Sequence, residues 1–217
     1  MNIPKGHIQD LVFDLGNVLV DVEYSRFTAY MGWDPAKFMR FYATEFFREF
    51  ETGRRDEAAC FREMAHYVPL KEEDIPRYRA NIYRTFPLRP RTLALLPALR
   101  KKFRLYLFSN TNSLDFNAIS RRIRFPDLFD GVYTSHEQGF LKPNPEAYEK
   151  IEDLFGLKAE TLLYFDDRFE NIEAGIRAGW PSLQVKDEET FLKILRDLSE
   201  QADTINPVFS TSQNLKY

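Results

Sequence analysis

Four stretches of this sequence place chemically capable side chains directly after a short apolar run or a proline-fixed turn. The first is Leu11-Val12-Phe13 followed by Asp14-Leu15-Gly16-Asn17-Val18-Leu19. A carboxylate at the end of a strand can attack phosphorus and form an aspartyl phosphate, and Gly16 lets the backbone turn sharply behind it. The second is Leu105 to Phe108 followed by Ser109-Asn110. A small hydroxyl and a backbone amide at a strand–helix junction can bind a phosphoryl oxygen, although Ser and Asn are also common helix caps. The third is Leu141-Lys142-Pro143-Asn144-Pro145-Glu146-Ala147-Tyr148. Here two prolines fix the backbone around Lys142, a point charge able to neutralise a phosphate and a carboxylate together. The fourth is Leu162 to Phe165 followed by Asp166-Asp167, then Glu170-Asn171 and Gly175. Adjacent carboxylates at a buried strand end repel each other unless a cation sits between them, and magnesium favours such hard oxygen ligands. Each stretch also has a plainer reading as a turn, a cap or a solvated charge. It is their combination that points to phosphoryl chemistry.

The elements that must position these residues are legible in the same runs. Val132-Tyr133-Thr134 before Ser135, and Ser182 to Val185, add two further short apolar segments. Runs this short and continuous read as strands buried on both faces. Between them, Arg91 to Lys102, Pro145 to Phe155 and Phe169 to Ala178 carry apolar residues near helical spacing, with Gly156 and Gly179 where a helix would stop. Alternating strands and helices predict an α/β fold, a three-layer Rossmann-like parallel sheet with helices on both faces. Ligands bind such sheets outside the carboxyl ends of the strands, so the four stretches converge on one site. The segment from Asp21 to Phe86 has no convincing strand. Its aromatic-rich Pro35 to Phe50, then Asp56 to Tyr67, then Asp74-Ile75-Pro76 to Thr85, read as helices. Pro87 and Pro90 mark a hinge. The expected organisation is an α/β core over residues 1–20 and 88–200, a small inserted helical cap over 21–87, and a polar tail over 201–217.

Composition sets the surroundings. The 217 residues are 44% hydrophobic and 29% charged, with a formal net charge of -3. Those are the proportions of an ordinary globular chain able to bury its own core. The two signs of charge are interspersed, so neither a nucleic-acid stripe nor an acidic tail is indicated. The single cysteine, Cys60, excludes an internal disulfide framework and suits a reducing compartment. No apolar run reaches the roughly 18 residues of a membrane span, and the N-terminus lacks a signal-peptide pattern. A cytoplasmic address is the expectation, with no nucleic-acid or membrane partner, in a monomer or homodimer.

Taken in order, the four motifs resemble the haloacid-dehalogenase superfamily over about Leu11 to Val185. The helical segment resembles the cap which that superfamily inserts after its first strand, and Glu51-Thr52-Gly53-Arg54 is similar to a cap signature of one phosphatase branch. The Asp-Leu-Gly-Asn-Val stretch is similar to the branch containing bacterial α-D-glucose-1-phosphate phosphatase and related sugar-phosphate phosphatases. By this resemblance Asp14 is the nucleophile, and Ser109 and Lys142, with Asn110 beside them, bind the transferring phosphoryl group. Asp14, the Gly16 carbonyl and Asp166 hold Mg2+, with Asp167 adjacent. The implied activity is hydrolysis of a small phosphorylated metabolite.

One position departs from the pattern. Most phosphatases of the superfamily carry a second Asp two residues after the nucleophile as acid and base. Here Gly16 stands there. A general acid is worth roughly 10²- to 10⁴-fold, and its loss weighs most on poor leaving groups. Three readings follow: a substrate with a good leaving group (an anomeric, aryl or acyl phosphate), an acid supplied by the cap with Asp21 and Glu23 nearest in sequence, or a binder of phosphorylated ligands with weak catalysis. A 2-haloacid dehalogenase, which uses an aspartate nucleophile without a divalent metal, is the alternative enzyme. Tyr24 and Trp33 are the cap aromatics expected to face a substrate, Arg26 and Arg48 the cap cations able to contact one, and His136 a loop residue able to approach the site.

Overall fold

The computed structural model describes residues 8–200, so the tail expected over 201–217 and the first seven residues lie outside the described residues. Five parallel strands form one sheet: β1 (Asp10–Phe13), β2 (Arg104–Ser109), β3 (Gly131–Thr134), β4 (Leu162–Asp166) and β5 (Ser182–Gln184), in the order β3-β2-β1-β4-β5. β1 is central, and its Phe13 stands level with Leu107 of β2 and Phe165 of β4. That register brings the carboxyl ends of the three central strands to one height. At the opposite end Asp10, wholly buried, accepts two hydrogen bonds from the Arg104 guanidinium at 2.6 and 2.9 Å.

Strand periodicity sorts the core into two halves. Leu11, Phe13, Leu105, Leu107, Leu163 and Phe165 face one side, where Phe191 and Leu195 of helix Glu188–Glu200 cover them. Val12, Tyr106, Phe108, Tyr133, Leu162 and Tyr164 face the other, against Tyr148 and Ile151 of helix Pro145–Phe155, and Trp180. Three layers result.

Between β1 and β2 lies the helical segment: helices Tyr24–Met31, Pro35–Tyr42, Glu45–Glu51, Glu57–Met64 and Ile75–Asn81, with 3₁₀ turns at Glu72–Asp74 and Ile82–Thr85. The chain leaves and re-enters side by side. Asp21 donates its amide to Pro87 at 2.8 Å, Arg89 donates its own to Leu19 at 3.0 Å, and Val20 bridges Leu88. The segment meets the short helix Ser135–Gln138 after β3 at Gly53, whose φ is +70°. A Cβ there would lie 2.2 Å from the His136 carbonyl oxygen, so only glycine permits this approach.

Two expected helices are interrupted. Pro35 to Phe50 breaks at Thr44, whose hydroxyl accepts from the Phe47 amide at 3.1 Å and starts a new helix. Arg91 to Lys102 resolves into Pro90–Leu93 and Leu96–Leu99, because Pro97 has no N–H to continue the ladder. The helices Ser113–Ser120 and Glu188–Glu200, not predicted from the sequence, flank the sheet, and the equally unpredicted Tyr24–Met31 lies in the inserted segment.

Candidate active site

The chain positions its four motifs at adjoining strand ends. Asp14 follows β1, Ser109 ends β2, Asp166 ends β4, and Lys142 precedes helix Pro145–Phe155. Lys142 is 3% exposed. Its ammonium donates to Asp14 Oδ1 at 2.7 Å, to Asp166 Oδ2 at 2.7 Å and to the Phe108 carbonyl at 2.6 Å. Three donors thus meet three oxygens, the condition under which a buried ammonium persists. Burial by itself pushes the Lys142 amine down, but Asp14 and Asp166 outweigh it and hold the ammonium firmly protonated.

Asp14, Asp166 and Asp167 each offer a carboxylate oxygen, all within 4.8 Å of one another. Burial pushes Asp14 up to about 7 against the pull of Lys142. For Asp166 burial acts upward too, but Lys142, the Tyr164 hydroxyl and the Arg168 amide prevail and keep it below the ordinary carboxylate value. Burial raises Asp167, with Asn17 opposing. Three converging hard oxygens, on carboxyls that burial discourages from ionising, suit a small divalent cation. Asp14, Asp166 and Asp167 are the residues that could hold it.

Several orienting residues carried little signal in the sequence. Asn17, next to Gly16, has φ +52°, a left-handed backbone that asparagine tolerates better than most residues. Its amide donates to Asp167 Oδ2 at 2.9 Å and accepts from the Val22 amide at 3.1 Å. The Tyr164 hydroxyl donates to Asp166 Oδ2, and Asn171 donates to both Asp166 oxygens at 3.0 and 3.1 Å. Gly16 lies beside Asp14: a Cβ there would be 3.9 Å from Asp14 Oδ2 and 3.1 Å from Val22 Cγ2.

Asn110 has a different position from a simple ligand contact. Its side chain donates to the Lys142 carbonyl at 2.7 Å and accepts from the Lys142 amide at 2.8 Å, so it holds the lysine loop. Ser109 is buried, its hydroxyl 3.4 Å from the Asn110 carbonyl. Among the helical-segment residues singled out, Trp33 does not face the site; it packs among Phe27, Phe38 and Tyr78. Arg26 and Arg48 pair with Glu23 and Glu45 on the surface. Asp21 pairs with Arg89 at 2.7 Å, so both acids expected as substitutes for the missing one are already engaged. His136 packs beside Phe116, and burial lowers its pKa. Cys60 is buried, and burial pushes its thiol up, away from reactivity.

The profile of haloacid dehalogenase-like hydrolases matches residues 11–179, from β1 to just beyond helix Phe169–Arg177. The chain belongs to that family. It is a hydrolase, and its β3-β2-β1-β4-β5 sheet brings Asp14, Ser109 and Asp166 together at its carboxyl edge. A sesquiterpene phosphatase of Aspergillus oryzae is 28% identical over 160 residues, covering 71% of this chain and 80% of the relative. A D-ribitol-5-phosphate phosphatase of Bacteroides thetaiotaomicron is 27% identical over 193 residues, covering 82% and 91%. A family enzyme from the same bacterium, solved with magnesium and inorganic phosphate, superposes with a TM-score of 0.75 at 22% identity, over 85% of this chain and 98% of that one. Among the described residues no helix is long and apolar enough to cross a membrane.

Proposed function

We propose that this family member is a magnesium-dependent phosphatase acting on a small phosphorylated metabolite through an aspartyl phosphate on Asp14. The observation that carries this reading is the buried Lys142 ammonium, 2.7 Å from both Asp14 and Asp166, with Asp167 beside them. The curated relatives named as phosphatases support it. In the reaction Asp14 attacks phosphorus, the Asp14–phosphorus bond forms and the bond to the leaving oxygen breaks. Water then cleaves the acyl phosphate and restores the carboxylate. Lys142 and the Ser109–Asn110 turn take the phosphoryl oxygens, and Asn110 keeps Lys142 in register. Asp14, the Gly16 carbonyl, Asp166 and Asp167 hold the cation, which supplies charge neutralisation on the phosphoryl group. Residues 21–87 form the cap over this edge, and 8–20 with 88–200 form the core. Since Gly16 brings no proton, a leaving group that departs without one is favoured.

Phosphate release from phenyl phosphate, glucose 1-phosphate and glucose 6-phosphate tests the reading, with Mg2+, with a chelator, and with Asp14→Asn. Removing the cation or the carboxylate is expected to reduce release by at least about 10³-fold, and the 1-phosphate should exceed the 6-phosphate. Release that survives both changes would refute the mechanism. Faster release from the 6-phosphate would refute the leaving-group argument alone.

A further inference from the structure

Arg89 stands where the chain returns from the helical segment to the core, and the phosphatase reading gives it no role. Its side chain is 15% exposed and makes two directed contacts. Nε donates to Asp21 Oδ1 at 2.7 Å, and Nη1 donates to the backbone carbonyl of Asn17. Asp21 lies on the outgoing crossing and Arg89 on the returning one. A single guanidinium therefore fastens both crossings to the loop that follows Asp14.

Asn17 carries the contact onward. Its carboxamide donates to Asp167 Oδ2 at 2.9 Å and accepts from the Val22 amide at 3.1 Å, while its own backbone amide donates to the Val20 carbonyl at 2.6 Å. That amide belongs to the planar Gly16–Asn17 peptide, so the same bond sets the direction of the Gly16 carbonyl. With φ at +52° the Asn17 backbone occupies a conformation that persists only where its surroundings hold it, and the Arg89 bond to its carbonyl is part of that hold. Two consecutive hydrogen bonds, Arg89 to Asn17 and Asn17 to Asp167, thus join the crossing to one of three carboxylates that converge within 4.8 Å. Outer contacts of this kind orient the oxygens that bind a cation, and losing one typically costs about 10- to 100-fold in metal affinity.

We propose that Arg89 is a positioning residue for the cation: by holding the Asn17 turn it sets the Asp167 carboxylate and the Gly16 carbonyl, and through them the affinity for the metal. The proposal rests on the cation site of the phosphatase reading. The sign of the effect is diagnostic. A guanidinium is itself a positive charge, so by charge alone its removal would favour a second cation nearby. Positioning demands the reverse, a cation held less tightly once the guanidinium is gone. Lysine is no substitute, because its ammonium keeps the charge but lacks the planar fork whose separate nitrogens reach Asp21 and Asn17 together.

The probe is Mn2+, which shares the preference for hard oxygen ligands and whose free form is counted by electron paramagnetic resonance without any turnover. The full chain is titrated in phosphate-free buffer as wild type, Asp166→Asn, Arg89→Gln, Arg89→Lys, Asn17→Gly, and Arg89→Gln combined with Asn17→Gly. Asn17→Gly removes the carboxamide and keeps the left-handed backbone. Each single change at Arg89 or Asn17 is expected to weaken Mn2+ binding about 10- to 100-fold. The double change should cost no more than about 3-fold beyond the larger single one, because both break the same chain of bonds. Circular dichroism and gel filtration report folding, and Arg89→Lys, which keeps a charge beside Asp21, supplies the reading if Arg89→Gln does not fold. A merely structural Arg89 would lower thermal stability and leave the Mn2+ constant where it was. Unchanged or tighter Mn2+ binding in the Arg89 variants, or full additivity in the double variant, overturns the proposal while wild-type binding keeps the cation site standing. A wild type that binds no Mn2+, or binding that survives Asp166→Asn undiminished, overturns the cation site and the proposal with it.

Discussion

The buried carboxyl of Asp115, one of whose oxygens has no hydrogen-bond partner, makes the stability of the fold fall as pH rises. Burial pushes it from 3.8 to about 7, with the Asn112 hydrogen bond opposing. The folded state therefore binds a proton that the unfolded state releases. For an acid raised in this way, stability falls as pH rises from about 4 to about 7, then levels off once both states are ionised. A difference of one bound proton between the two states is worth about 1.4 kcal/mol for every step of one in pH. Between pH 5 and pH 8 this group therefore removes roughly 2–3 kcal/mol from the wild type. Asp115→Asn cannot ionise and escapes that loss. It also relieves Glu51, which burial and then Asp115 push up to about 7, a change of the same sign. Tyr24, Tyr42, Tyr78 and Cys60, the other groups facing Asp115, are all raised and stay neutral across this window. The variant's buried NH₂ adds a constant penalty of about 1–3 kcal/mol, which cancels when two pH values are compared. Thermal melts with a chelator present, at pH 5 and pH 8, should show the variant gaining roughly 5–10 °C on the wild type between them. An offset that stays constant from pH 5 to pH 8 would refute the reasoning.

Two other changes probe the catalytic edge. Asn110→Ala removes the bonds of 2.7 and 2.8 Å that hold Lys142's backbone; kcat for phenyl phosphate should fall about 10- to 100-fold through misplacement, and an unchanged kcat would contradict the positioning role. Gly16→Asp restores the missing acid but sets a Cβ 3.1 Å from Val22 Cγ2, so the paired change with Val22→Ala should accommodate it better. The pair should raise alkyl phosphate hydrolysis by about 10²-fold and leave aryl phosphate hydrolysis nearly unmoved; equal changes in both would contradict the acid–base account.

How much of this was legible in the sequence depended on whether the signal was local. All five strands were visible because each is a short, largely apolar run, with the central β1 and β4 buried on both faces, and the polar residues ending β1, β2 and β4 marked the site edge. Asp14, Lys142, Asp166 and Asp167 could be singled out because each stands beside a strand end or directly before a proline. Asn17, Tyr164 and Asn171 have their meaning only through side-chain partners that the fold brings together, either far off in the sequence or a few residues away: Asn17 is 150 positions from Asp167. Asp115 looked like an ordinary helix residue, since an absent partner leaves no trace in a sequence. Trp33 was misjudged because an aromatic at helical spacing looks the same whether it faces a ligand or its own neighbours. Helix breaks at Thr44 and Pro97 arose from a cap and a missing N–H inside otherwise continuous apolar patterns.

The Asn110 carboxamide presents the same donor and acceptor pair to Lys142 that the backbone of a neighbouring strand would present. In hydrogen-bonding terms the sheet continues past the last residue of β2, through a side chain acting as one more rung. The lysine therefore belongs mechanically to the sheet although it sits in a loop, and loops ordinarily drift and vary. Charge and placement become separable properties: the ammonium can be altered without releasing the loop.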